Sequence, residues 1–473
     1  MKVEKVLDVF VSKMRAEGVP RIAIDNFCFY YLQLSRGAAG KVSEEEIEPV
    51  GDLQVFEDLS AACREGGRDL LSSTVHLVLN GGLGTSMGML MPKSSLQIRG
   101  GLSFLDIIAK RSLLQKTALV LMNSFATRVH SLRALDNYLP GGGDLPRDFL
   151  QHKTPKVAIE GLKPVQWEAN PVLEWCPPGH GDIYPALSSS GMLDELLGSG
   201  YRYAFVSNAD NLGATVDETI LGFFAQSEAP FLMEVADRTE ADKKGGHLAR
   251  RRADGRLILR EAAQCPEDER GEFSDINRHR FFNTNNLWLD LAALSRLLDK
   301  RRGVLGLPMI LNRKTVDPRD PDSLWVYQLE TAMGGAIEVF EGAMALKVDR
   351  SRFLPVKTTN DLLVVRSDAV TLTPDLRLTK NPERAFDTLP VVSLDRRYYR
   401  NIDSFESRYP KGVPSLVECE TFSVEGDITF GADVKVRGNV SVEQAQMERI
   451  KPNSTAKKTS RAFIEDGAIL SGP

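Results

Sequence analysis

The stretch Val75-His76-Leu77-Val78-Leu79-Asn80-Gly81-Gly82-Leu83-Gly84-Thr85-Ser86-Met87-Gly88, closed by Pro92-Lys93-Ser94, restricts the possible folds more than any other part of this chain. Its apolar start, with one polar interruption, predicts a short strand buried in a parallel sheet. Gly81, Gly82, Gly84 and Gly88 then predict a loop that can take positive φ and approach a ligand, with successive N–H groups turned toward phosphate oxygens. Lys93 adds a point charge beside them. A strand-to-helix turn without any ligand has the same composition and stays open at this point.

Two glycine motifs fit less well. A Walker loop has Gly-Lys-Ser/Thr directly after its four-residue spacer, whereas Lys93 follows Pro92. The dinucleotide fingerprint Gly-x-Gly-x-x-Gly finds Gly82 and Gly84 but meets Met87 in third place. Asp106 lies at about the distance expected of a ribose-binding acid, so an NAD(P)-type oxidoreductase stays as a rival. Lys93 discriminates between them, because a loop built for a pyrophosphate bridge has little need of a lysine, whereas a triphosphate that loses pyrophosphate does.

Beyond the loop, apolar strands at 119–122, 203–206, 231–235 and 281–289 alternate with helical stretches, which predicts an α/β fold with a mixed, mostly parallel sheet of Rossmann-like type. The 473 residues give room for two to three domains. We expect an N-terminal helical cap over 1–70, with helices at 3–14 and 22–34 packed on the catalytic sheet. A catalytic α/β domain over 71–365 and a linker with a C-terminal domain over 366–473 follow. In that tail Phe422, Ile428, Val434 and Val440 begin apolar pairs at a constant step of six, the period of a parallel β-helix; a plain β-meander is the alternative. The pattern breaks over 444–460.

A formal charge of −5 argues against a nucleic-acid-binding surface. No apolar run approaches the length of a membrane span, and Glu4 and Asp8 interrupt what a signal peptide would keep apolar. The five scattered cysteines lack CxxC spacing and suggest reduced thiols in a cytoplasm.

Two further clusters carry chemistry. In Cys176-Pro177-Pro178-Gly179-His180-Gly181-Asp182 the prolines fix the entering backbone and glycines flank His180, so the loop presents that ring from a rigid frame; a purely structural turn would look the same. In Phe205-Val206-Ser207-Asn208-Ala209-Asp210-Asn211-Leu212-Gly213-Ala214 a strand ends in polar residues, which places them at the carboxyl edge of an open sheet, where ligands bind. Asp210 is a candidate for Mg²⁺, which takes one or two carboxylates plus phosphate oxygens.

Asn-Gly-Gly-Leu-Gly-Thr-Ser-Met-Gly, followed after three residues by Pro-Lys-Ser, resembles the nucleotide loop of the eukaryotic-type UTP–glucose-1-phosphate uridylyltransferase family, the UDP-glucose pyrophosphorylases. Leu90 and Met91 depart from it, since that family usually has lysine and glycine there, and they predict a bulkier, less basic loop. Pro-Pro-Gly-His-Gly-Asp, Ser-Asn-Ala-Asp-Asn-Leu-Gly-Ala, Lys244-Gly-Gly, Glu261-Ala-Ala-Gln, Phe282-Asn-Thr-Asn285-Asn-Leu-Trp and Phe353-Leu-Pro-Val-Lys357 resemble further family segments in the family's order. The resemblance implies a small C-terminal left-handed parallel β-helix and a Mg²⁺-dependent reaction of UTP with glucose 1-phosphate. Leu79, Asn80, Gly81, Gly82, Lys93, Gln151, Gly179, Asn208, Asp210 and Lys357 would then meet the nucleotide, with Gln151 and Gly179 at uracil. His180, Asn208, Lys244, Glu261 and Asn285 would meet the sugar phosphate, and Asp210 the metal. Lys93, Lys357 and Asp210 would carry the chemistry. Broader sugar use, as in UDP-sugar or UDP-N-acetylhexosamine pyrophosphorylases, and a weakly active scaffold are the alternatives. A homo-oligomer formed through the C-terminal domain is compatible with this reading.

Overall fold

The computed structural model describes residues 2–38, 40–139, 145–445 and 461–472; most of the 444–460 interruption lies outside them. Its centre is an eight-stranded sheet in the order Gln54–Val55, Met344–Lys347, Phe231–Asp237, Phe281–Asp290, Tyr203–Asn208, Thr74–Asn80, Ala118–Asn123, Asp148–Leu150. Every pairing is parallel except the two made by Phe281–Asp290, which runs antiparallel to both neighbours, so the sheet is mixed. The strand predicted from 75–80 is buried along nearly its whole length. Its polar interruption, His76, is satisfied across the sheet by Ser207, with Nε2 and Oγ 2.8 Å apart. Parallel register aligns the strand ends: Leu79 lies opposite Asn208, Asn80 opposite Asn123, and Asn123 opposite Leu150. The loops that follow therefore leave from one carboxyl edge.

The first 70 residues do more than cap. Gln54–Val55 forms an edge strand of the large sheet, and Ile47–Pro49 pairs with His247–Arg251. The two N-terminal helices, Lys2–Ala16 and Arg21–Ser35, pack through Phe10, Phe27 and Tyr31 chiefly on the small sheet that contains Val157, Met309 and Leu329, rather than on the large one. The helix Ala61–Leu70 crosses Glu218–Ser227 at Gly67 and Gly222. A Cβ on Gly67 would lie 1.7 Å from the Glu218 carbonyl oxygen, and one on Gly222 would lie 1.7 Å from that of Cys63, so only bare backbone fits at this crossing.

One polar group, Glu234, lies inside the apolar run at 231–235. Glu234, fully buried, receives Arg352 Nε at 2.6 Å, another Arg352 nitrogen at 2.7 Å, Trp288 Nε1 at 2.9 Å and Asn286 Nδ2 at 3.0 Å. Asn286 therefore serves the interior, one reason why an amide-rich run is tolerated in a strand.

In the tail, Phe422, Val424, Ile428, Phe430, Val434, Val436 and Val440 are all buried. Phe422 lies opposite Val440 and Val424 opposite Val442 in parallel pairing, so residues eighteen apart sit side by side. An antiparallel meander does not allow that. One apolar cluster runs without a break from the helix Phe104–Gln115 into these strands. Among the described residues no helix is long and apolar enough to cross a membrane.

Glu234→Ala leaves a buried guanidinium without its partner and is expected to cost about 3–5 kcal/mol of stability. Chemical denaturation of the variant tests this, and a loss below about 1 kcal/mol would contradict the role given to the pair.

Candidate active site

The loop after Thr74–Asn80 folds back on itself. Lys93 N–H donates to the Gly82 carbonyl at 3.1 Å and Gly84 N–H to that of Met91 at 3.4 Å, which returns the lysine to the start of the loop. The amides of Met87, Gly88 and Met89 are also committed inside it, to Gly84 and Thr85 carbonyls. The expected cradle of successive N–H groups thus shrinks to the neighbourhood of Gly81 and Gly82. Leu90 is 91% exposed and Met91 47%, so their bulk lies at the tip and does not crowd the cavity. The dinucleotide rival loses both its anchors: Met87 is fully buried in the core, and Asp106 caps a helix, its Oδ2 accepting from Ser103 N–H at 2.8 Å and from Ser103 Oγ at 2.6 Å.

A cavity of about 320 Å³ opens at the carboxyl edge, lined by Leu79, Asn80, Gly81, Gly82, Lys93, Ser94, Met122, Gln151, Pro177, Gly179, His180, Asn208, Ala209, Asp210 and Lys357. All the residues expected at the nucleotide are here. Asn80 contributes less than expected, because its side-chain nitrogen already donates to Asn123 Oδ1 at 2.8 Å and Ser131 Oγ at 2.7 Å. Ser94, Met122, Pro177 and Ala209 complete the lining, and all but Met122 belong to the glycine, Pro-Pro-Gly-His and Ser-Asn-Ala-Asp motifs.

The charges meet at Asp210. Its Oδ2 lies 2.6 Å from Lys93 Nζ and 3.0 Å from Lys357 Nζ, while Oδ1 is buried with no hydrogen-bond partner. Burial pushes this carboxyl up, but Lys357 and Lys93 outweigh it and hold it below the ordinary carboxylate range. Lys357 is 57% exposed at its side chain and Lys93 15%, so Lys93 is a fixed charge and Lys357 a reaching one. Lys357 is placed by its own segment, since Val356 N–H donates to the Asp210 carbonyl at 3.1 Å.

His180 lines the same cavity. Gly179 turns the chain with φ +82°, and a Cβ there would strike the Thr331 carbonyl oxygen at 2.3 Å. The Met333 N–H donates to His180 Nδ1 at 3.0 Å, so the neutral ring carries its proton on Nε2 and acts as a donor. Burial, with Lys357 as a second cause, pushes its pKa down to about 4. Gln151 donates Nε2–H to the Gly179 carbonyl at 3.0 Å, which fixes its amide and leaves one N–H and the oxygen to read a ligand edge.

Three residues expected at the sugar phosphate are not in this lining. Asn285 has φ +60° and exchanges hydrogen bonds with Asn283 at 2.8 and 2.9 Å. Glu261 lies against Gly246, where a Cβ would come within 2.7 Å of its Oε2, and burial pushes its carboxyl up. The Asn283 amide, bonded to Asn285, abuts Gly334, next to the Met333 that bonds His180. Lys244 is exposed on the turn before His247–Arg251 and stays outside. Among the described residues no group of three or more His, Cys, Asp or Glu is placed to hold a metal.

An open α/β sheet with glycine loop, paired lysines and an acid at its carboxyl edge defines a phosphate-handling, nucleotide-binding class of protein. The family model for UTP–glucose-1-phosphate uridylyltransferases matches residues 24–437, and the chain belongs to that family. It is 39% identical to the enzyme of that name from Solanum tuberosum, with 90% of this chain and 85% of the relative aligned. For the one from Hordeum vulgare the identity is 40%, over 88% and 83%. UDP-glucose pyrophosphorylase from Leishmania major, solved in open and closed structures, superposes with a TM-score of 0.90 at 41% identity over 99% of this chain and 98% of that one.

The ring of His180 should titrate near 4 and carry its neutral proton on Nε2 at pH 7. Nitrogen NMR of histidine-labelled protein reads both, and a midpoint near the unperturbed value of about 6.5 would contradict the assignment.

Proposed function

We propose that this chain transfers the uridylyl group of UTP to glucose 1-phosphate, giving UDP-glucose and pyrophosphate. A Leishmania major relative has been solved in complex with UDP-glucose. The observation that carries the reading is the meeting of Lys93, Lys357 and Asp210 in one cavity with Gln151, Gly179 and His180. A phosphate oxygen of the sugar phosphate forms a bond to the α-phosphorus of UTP, the α–β anhydride bond breaks, and its electron pair leaves with pyrophosphate. The attacking oxygen is already ionised, so no general base is needed, in keeping with a His180 that donates rather than accepts.

Both reactants are anions, and charge grows on the equatorial and departing oxygens. Lys93, held at the base of the glycine loop, is suited to the departing pyrophosphate. Lys357, exposed enough to move, is suited to the reacting phosphate. His180 Nε2–H is assigned to the sugar phosphate, and Asn208 to the join between nucleotide and sugar. Lys244, Glu261 and Asn285 remain candidates for sugar contacts. The unpartnered Oδ1 of Asp210 suits a hard cation, so Mg²⁺ is assigned there, where it would neutralise charge between the phosphates when bound. The eighteen-residue parallel register of the tail supports a β-helix, a surface also available for self-association. Five free thiols are in keeping with a cytoplasmic setting.

A coupled assay of pyrophosphate release, run over UTP, CTP and a panel of sugar phosphates, tests the reading; no release with UTP and glucose 1-phosphate would refute it. Asp210→Asn should lower activity by orders of magnitude, with only partial rescue by excess Mg²⁺. Lys357→Ala should lower kcat by about 10²–10³ while KM for UTP changes less, and a near-normal kcat with chemistry rate-limiting would return that lysine to the solvent. Gln151→Ala should lose about 1–3 kcal/mol of discrimination between UTP and CTP.

A further inference from the structure

Gln151 and Gly179, assigned above to the base, come from separate loops, and the tie that aligns those loops lies one layer behind the cavity. Asp182, 5% exposed, accepts the backbone N–H of His152 on Oδ2 at 2.7 Å and the Nδ1–H of the same residue on Oδ1 at 2.8 Å. Its own N–H donates to the Gly179 carbonyl at 3.3 Å, and that carbonyl also receives Gln151 Nε2–H at 3.0 Å. With the peptide bond from Gln151 to His152, these bonds close a ring: Gln151, His152, Asp182, Gly179 and back to Gln151.

The ring of His152 has one orientation available. A carboxylate only accepts, so Nδ1 carries a proton toward Asp182, and Nε2 lies 2.8 Å from Ser189 Oγ. Aspartate, histidine and serine in this connectivity resemble a hydrolytic triad, but the amides beside Ser189 are committed: Ser190 N–H to the Ala186 carbonyl and Gly191 N–H to that of Ser188. An oxyanion there would lack those donors. The arrangement is a brace, and what it braces is the pair of base-facing residues.

We propose, given the base assignment above, that Asp182 and His152 are positioning residues for nucleobase selection: they fix the distance between Gln151 and Gly179, and so the width of the slot that accepts one pyrimidine edge and rejects another. The lysines and Asp210 hang on other segments, and His180 keeps its own tie from the Met333 N–H. The loss would fall on recognition of the nucleotide rather than on chemistry.

Full-length His152→Ala and His152→Asn separate this from a merely structural role, because the Asn carboxamide nitrogen can take the place of Nδ1. In His152→Ala, KM for UTP should rise about tenfold and the UTP-to-CTP ratio of kcat/KM should narrow by a similar factor, while kcat and KM for glucose 1-phosphate stay within about twofold. His152→Asn should recover most of both losses. Asp182→Ala removes both acceptors at once, so it should give the same signature and serves where His152→Ala is insoluble. An unchanged UTP-to-CTP ratio in a folded His152→Ala and Asp182→Ala would overturn the proposal, as would equal losses for both substrates that track Tm. If the parent chain itself shows no preference for UTP, the base assignment fails instead, and that is read before any variant is made.

Discussion

The buried pair of Glu234 and Arg352 is the constraint on which the reactive edge of this sheet depends. An ion pair taken out of water gains little net stability, because desolvation offsets most of the attraction, so its value lies in what it holds in place. Four donors saturate the Glu234 carboxylate, and two of them are guanidinium nitrogens of Arg352. The Arg352 carbonyl in turn receives the amides of Asn211 at 3.1 Å and Asn286 at 3.2 Å, and Asn211 Oδ1 accepts Leu354 N–H at 2.8 Å. The segment that ends in Lys357 is thus stitched to two strands and to the turn that follows a third before the lysine leaves it. A surface lysine becomes a positioned one through residues that touch no ligand.

The cavity is electrostatically sparing. Two lysines and one aspartate leave a single net positive charge, and His180 adds none because burial keeps its ring neutral. Before any ligand enters, Asp210 keeps the lysines from repelling one another. An arriving phosphate therefore takes over partners already in position, with little reorganisation at the moment of reaction. The reach of Lys357 and the fixity of Lys93 divide this work between a mobile charge and a static one.

Much of this could be read from the residues. Strands at 119–122, 203–206 and 281–289 are visible because buried strands are written as apolar runs, and the polar residues that end them mark the ligand edge. Direction is not written there: nothing in the apolar pattern of 281–289 says that this strand runs antiparallel. Asp106 has the spacing of a ribose-binding acid, yet its carboxylate closes a local capping box with Ser103; Asn80, given by resemblance, does line the cavity, with its side-chain nitrogen turned to Asn123 and Ser131, which only folding brings close. Glu234 was hidden in an apolar run, and its partner lies 118 residues away. The His152–Asp182 brace spans 30 residues and has no period to betray it, although each member adjoins a motif that could be read. In the tail the step of six reappears as parallel pairing between residues eighteen apart, since a repeat transmits its geometry directly into register.

At the crossing of Ala61–Leu70 and Glu218–Ser227, backbone meets backbone, because Gly67 and Gly222 place no side chain between the helices. Pressure unfolds proteins by eliminating internal voids, which collect where side chains fit imperfectly. A contact without intervening side chains has little such volume to surrender. Under compression this outer helix pair should hold its spacing while better-padded parts of the core give way, which makes it a natural reference point for measuring how the rest of the molecule yields.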